Sequence, residues 1–136
     1  MSFQDFFMEE FEDAEVVERM VKIGGKERKM QFKPLSAAQG DEIRKSCRKV
    51  TRHKGKKEVD INEDTYMAKM IIETTVNPDF KNKELQDNWK VIGADQLLSA
   101  MKTKMIDGEY ADLIAVVSEI NGFNKDINEL KEEVKN

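Results

Sequence analysis

Residues 15–32 read EVVERMVKIGGKERKMQF, and this stretch decides the fold class. Its first half is rich in valine, and β-branched side chains fit the pleated, half-buried surface of a sheet. Gly24-Gly25 separates the two runs, and glycine accepts the positive φ that a tight turn demands. Beyond the turn, Met30 and Phe32 alternate with Lys29, Gln31 and Lys33, the two-residue period of a strand with one buried face. The stretch predicts a β-hairpin. A two-stranded hairpin is barely stable alone, so the rest of the chain must supply helices to cover it.

The sequence that follows supplies them. Pro34 ends the second strand, and Ser36 with Gln39 forms a capping-box signal for a helix running to about Thr51. Ile43, Cys47 and Val50 share one side of that helix, while Arg44, Lys45, Arg48, Lys49 and Arg52 occupy the other; residues 53–58 read as a polar loop. Asp60 and Glu63 announce a helix with Tyr66, Met70, Ile71 and Thr74 inward, and Asn77-Pro78 stops it. A shorter helix spans about 82–90 with Leu85 and Trp89 on one side. Gly93 breaks it, and Asp95 can cap a helix carrying Leu97, Leu98, Met101 and Met105. Residues 107–121 show the clearest period, with Tyr110, Leu113, Ile114, Val117 and Ile120 on one stripe and Gly122 at the place of a left-handed cap. The polar tail 124–136 carries only Ile127, Leu130 and Val134 as an apolar seam. The expectation is an α+β fold, mainly α, with an N-terminal β-hairpin followed by four or five packed helices. One domain, 1–136, divides into an arm (1–13), the hairpin (14–33), a helical core (34–123) and the tail.

A chain of 136 residues buries roughly two-thirds of its unfolded surface, enough for a core without metals or disulfides. Charged residues make up 37%, above the ~25% of an average domain, so the surface is heavily solvated. The single cysteine excludes a disulfide-stapled scaffold. The acidic start MSFQDFFMEEFEDAE is no secretory signal, and no apolar run reaches the ~18 residues of a membrane span. A cytoplasmic protein is expected. The net charge of −4 hides a strong asymmetry: Asp5 to Glu18 holds seven acidic residues and no basic one. Arg44 to Lys57 holds eight Lys/Arg plus His53 and no acidic one.

A catalytic site needs a positioned acid, base or nucleophile. His53, the only histidine, lies between Arg52 and Lys54 with no orienting partner nearby in sequence. Cys47 sits on an apolar helix side and reads as a small buried hydrophobe. No CxxC, HExxH, GxSxG or GxxxxGK[ST] pattern occurs, and Asp60 to Asp64 (DINED) lacks the glycine and terminal glutamate of an EF-hand. No enzyme, cofactor or metal is expected. Two features remain as candidates for binding. The alternative reading is a nucleic-acid-binding regulator using the basic segment 44–57, with Arg44, Lys45, Arg48, Lys49 and Arg52 neutralising phosphate, but the whole chain is acidic and no aromatic residue interleaves with them. Phe3, Phe7 and Phe11 recur every four residues, with Phe6 and Met8 beside them, which on a helix makes one aromatic stripe. Such an arm either packs on its own domain or docks in a partner's groove.

Several phrases together carry a family resemblance. They are the Phe-rich acidic start, VVERMVKIGGKE (16–27), FKPLS (32–36), ETTVNPDFKNKELQDNW (73–89), DGEYADLIAVVSEINGF (107–123) and the closing ELKEEVKN (129–136). In their order and spacing they resemble the XkdN-like phage tail assembly chaperones of prophage tail operons. The resemblance implies a non-enzymatic role in building a long tail, with the tape measure protein and major tail protein as partners, and it leaves a homo-oligomer open. In many tail operons of this kind a longer form arises by frameshifting near the end of the short one, which is where EEVKN (132–136) lies. It offers no catalytic residues. Pro78, Phe80, Leu85, Gln86, Gly108, Glu109, Tyr110, Gly122 and Phe123 match the family's pattern, and they read physically as caps, turns and core. A binder of long apolar helices would present adaptable methionine surface. The chain has eight methionines, of which Met67, Met70, Met101 and Met105 fall on predicted helices and read mainly as core.

Overall fold

The computed structural model describes residues 2–123; the tail 124–136 lies outside the described residues. The hairpin forms as expected. Strand β1 (Val17–Ile23) pairs antiparallel with β2 (Lys26–Phe32), and Ile23 faces Lys26 across Gly24-Gly25, both glycines at positive φ. Val21, Met30 and Phe32 point into the core, while Glu18, Met20 and Lys29 stay exposed.

Helix α1 (Ala37–Ser46) starts on the predicted cap. The Ser36 hydroxyl accepts from the Gln39 N–H at 3.1 Å, and the Gln39 side chain accepts from the Ser36 N–H at 2.9 Å. Ser36→Ala should therefore cost about 1 kcal/mol. Urea titration would show it as a lower midpoint with an unchanged slope.

The expectation of a mainly helical chain does not hold. Among the described residues, five strands in two antiparallel sheets accompany five helices. The main departure follows α1, which ends at Ser46 rather than near Thr51. Residues read as helix and loop instead form a second hairpin, β3 (Arg48–His53) and β4 (Lys56–Ile61). Lys54-Gly55 makes its two-residue turn with both φ values positive. Val50 and Thr51 prefer a strand, and in this register Val50 faces Val59, Thr51 faces Glu58 and Lys49 faces Asp60. These cross-strand pairs outweigh the helical spacing of Ile43, Cys47 and Val50. Ile43 and Cys47 are buried, but Val50 is not.

Helix α2 (Glu63–Thr74) is capped by Asn62, whose side chain accepts from the Thr65 N–H. It buries Met70, Ile71, Ile72 and Thr74. It runs directly into β5 (Thr75–Asn77), which joins β2 to give the order β1-β2-β5. Sequence reading missed this third strand. After Pro78 and the buried Phe80 come α3 (Lys83–Asn88), α4 (Ala94–Lys102) and α5 (Asp107–Ile120). Asn82 caps α3; Gly93, not Asp95, precedes α4. Leu97, Leu98, Leu113 and Val117 complete the core, with Met101, Met105 and Tyr110 packed against it. Helix α2 lies centrally, touching α1, α4 and α5, while α5 also packs on β1.

Candidate functional site

The N-terminal arm has no core of its own. Phe3–Phe6 and Met8–Glu10 form two short 3-10 turns separated by an extended Phe7, so the aromatic stripe of a continuous helix is not made. A short helix fixes several residues for each bond it gains and needs packing to persist. Here no arm side chain is buried. Phe3 is 74% exposed, Phe6 68%, Phe7 43%, Met8 87% and Phe11 67%. Only Phe3 and Phe7 are brought together, with ring centroids 5.7 Å apart.

The structure divides the basic residues. Arg44 and Lys45 lie at the end of α1, paired with Asp41 and Glu42 one turn earlier. Arg44 bonds to Asp41 and also to Tyr66, and both hold its guanidinium above its ordinary pKa. Arg48 and Arg52 share one face of the second hairpin with Val50, while Lys49 points to the opposite face beside Asp60. The single basic helix face assumed for phosphate binding is therefore absent. His53 ends β3 in the exposed tip, facing Lys56.

Sequence reading missed the group that organises the fold around the first hairpin. Glu109, in the first turn of α5, is buried, and its carboxylate accepts three backbone N–H groups. They come from Gly24 at 3.1 Å, Gly25 at 2.9 Å and Ile106 at 3.0 Å. Ile106 offers no side-chain oxygen, so this is the return half of a capping box, with the hairpin turn as the extra donor. The Gly25 N–H contributes most to lowering the carboxyl pKa below its ordinary value. Burial opposes this, and the Ile106 and Gly24 donors and the Lys22 charge add to it. Two other polar side chains also fix backbone groups. Gln86 donates to the Phe80 carbonyl and accepts from the Gly93 N–H, fixing the links around α3. Asn121 accepts from the Leu35 N–H and donates to Thr74 Oγ1 and the Val117 carbonyl. The signals were present in DGEY and in Gly24-Gly25, but 84 residues separate Gly25 from Glu109.

One groove of about 720 Å³ runs among α1, α2 and α4. Ile43, Ala68 and Ile72 line it, together with Glu42, Lys69 and Lys102. Lys69 donates to Ser46 Oγ, and the Lys102 ammonium lies 4.2 Å from the Tyr110 ring centroid. Cys47 is buried beside this region and not displayed. Among the described residues no cluster of three or more His, Cys, Asp or Glu is placed to hold a metal ion. Among them, too, no helix is long and apolar enough to cross a membrane.

The described residues combine an uncovered aromatic arm, an exposed second hairpin, and polar side chains that fix backbone turns. Residues 3–135 match the family model of the phage XkdN-like tail assembly chaperone protein, and the chain belongs to that family. The phage-like element PBSX protein XkdN of Bacillus subtilis (strain 168) is 35% identical over 106 residues, covering 77% of this chain and 70% of that protein. The uncharacterized protein YqbN of the same strain is 34% identical over 106 residues, with the same coverage of each chain. A crystal structure of YqbN superposes with a TM-score of 0.66 at 27% identity, covering 90% of this chain and 98% of that one. The chain is thus a phage tail assembly chaperone by family.

Proposed function

We propose that this chaperone acts without catalysis, by binding the tape measure protein, the major tail protein, or both, through Phe3, Phe6, Phe7, Met8 and Phe11. The observation that carries the reading is the exposure of all five side chains, which no part of the described fold covers. Contiguous exposed apolar surface rimmed by charge marks an interaction site. Each phenylalanine moved from water into a partner's groove contributes ~1.5–3 kcal/mol. The dense carboxylates between them keep the free arm soluble and leave the aromatic groups available. The same arm suits a long client, because 3-10 turns cost little to rearrange against different apolar helices.

The test is co-purification of the chain with its tape measure protein. Phe7→Asp should weaken capture by about tenfold, the effect of losing ~1.4 kcal/mol, and deletion of residues 1–11 should abolish it. Unchanged capture by the deletion would remove the arm from the reading. Normal tails in cells lacking the gene would remove the function itself.

A further inference from the structure

The second hairpin, β3–β4, is poorly explained by its own fold. Every residue of β3 is exposed, as is every residue of β4 except Ile61. A two-stranded hairpin is marginal by itself, and this one places like charges opposite each other. Arg52 faces Lys57, a directly opposed pair that destabilises the ladder, and Lys54 and Lys56 crowd the turn beside it. From Arg48 to Ile61 six Lys/Arg stand against Glu58 and Asp60. Val50 (54% exposed) and Val59 (58%) pair in the middle of the face that also carries Arg48, Arg52 and Lys57. That face therefore offers an apolar centre ringed by cations.

The arm of the same sequence has the complementary chemistry. Its phenylalanines are exposed, and Asp5, Glu9, Glu10, Glu12 and Asp13 have no basic residue among them. Among the described residues the ion pairs are Arg44–Asp41, Lys45–Glu42 and Lys81–Glu73, so no arm carboxylate meets a hairpin cation within one chain. Each molecule presents a donor and an acceptor of the same contact and satisfies neither.

We propose that the β3–β4 hairpin is the docking site for the acidic aromatic arm of a second copy of this chain. Phenylalanine side chains cover Val50 and Val59, and the arm carboxylates neutralise Arg48, Arg52, Lys54 and Lys57. The contact joins two different surfaces, so two copies either exchange arms reciprocally about a two-fold axis or repeat head to tail. It deepens the proposal that the arm is an interaction element by naming what the arm binds when no client is present. Client and second copy then compete for the same phenylalanines.

Sedimentation velocity of the full chain, without any client, tests this over a concentration series. At about 50 mM salt the weight-average sedimentation coefficient should rise with concentration; at about 500 mM it should fall back towards the monomer, as screening requires. Two charge-reversed variants sharpen the result. One carries Glu9→Lys, Glu10→Lys and Asp13→Lys; the other carries Arg52→Glu, Lys54→Glu and Lys57→Glu. All six positions are exposed, and unchanged circular dichroism would confirm that both variants fold. Each variant alone should self-associate at least about tenfold more weakly than the parent chain, and an equimolar mixture should recover association, because reversed arm then meets reversed hairpin. A monomer at every concentration and salt would overturn the proposal, as would a mixture that fails to recover. Loss of nucleic-acid retardation in the hairpin variant, with no change in sedimentation, would assign the cations to phosphate and overturn it too. Failed capture of the tape measure protein alongside intact self-association would instead count against the client reading alone.

Discussion

Glu109→Ala is expected to lower the melting temperature by on the order of 10 °C, because three part-buried backbone N–H groups lose their buried carboxylate acceptor at once. Glu109→Gln should also destabilise. It keeps the shape but removes the charge and turns an amide NH2 toward N–H groups that need an oxygen. The pH dependence has a definite sign. The folded-state pKa of Glu109 is lowered from its ordinary value of 4.5. Its stabilisation is therefore fully present at neutral pH, above the unfolded value, and is lost as acid protonates the carboxylate through the lowered folded value. Melting curves of wild type and Glu109→Gln should lie furthest apart near neutrality and converge in acid. Parallel curves down through the carboxylate range would mean the clamp contributes nothing as an anion.

Phe80→Ala is expected to cost about 3–5 kcal/mol, the usual result of emptying a fully buried aromatic site. Phe80 is 2% exposed although it sits in the link after β5, and the Gln86 side chain holds its carbonyl at 2.9 Å. Total domain stability is about 5–15 kcal/mol, so the variant would be marginal. Urea unfolding gives the value directly. A loss below about 1 kcal/mol would show that the link can collapse around the missing ring. In that case Phe80 is replaceable packing and not an anchor of the core.

Local patterns carried most of the fold. The Gly24-Gly25 turn, the Met30/Phe32 alternation, the Ser36–Gln39 cap and the Leu113/Val117 stripe each involve residues within a few positions of one another, and each forms as read. The errors have a different character. Lys54-Gly55 is a weaker turn signal than Asn-Gly or Asp-Gly, and the helical spacing through Ile43, Cys47 and Val50 masked the strand that begins at Arg48. Only the pairing with residues 56–61 distinguishes the two readings, and that pairing is not visible in either segment alone. Strand β5 is three residues long and ends against Pro78, too short for any period to show. The arm was legible as composition but not as conformation, because phenylalanines at every fourth position make a helix only where a surface receives them. Of the candidate site, the phenylalanines were legible as residues, but their exposure was not, since packing on the domain and docking on a partner stood as alternatives. Glu109 was named only among the family-pattern positions and its clamp was not read, since Gly24 and Gly25 lie 85 and 84 residues away and its motif, DGEY, reads locally as an ordinary helix start.

The Glu109 clamp also has a consequence for synthesis. The turn at Gly24-Gly25 leaves the ribosome long before the carboxylate that holds it, with 84 residues still to be translated between Gly25 and Glu109. At ~5–20 residues per second that interval is on the order of ten seconds. During it the nascent chain carries an unclamped hairpin whose β2 edge still awaits β5 and whose inner face awaits α5. Ribosome-bound chains stalled before and after residue 109 should therefore differ in their resistance to protease at the first hairpin.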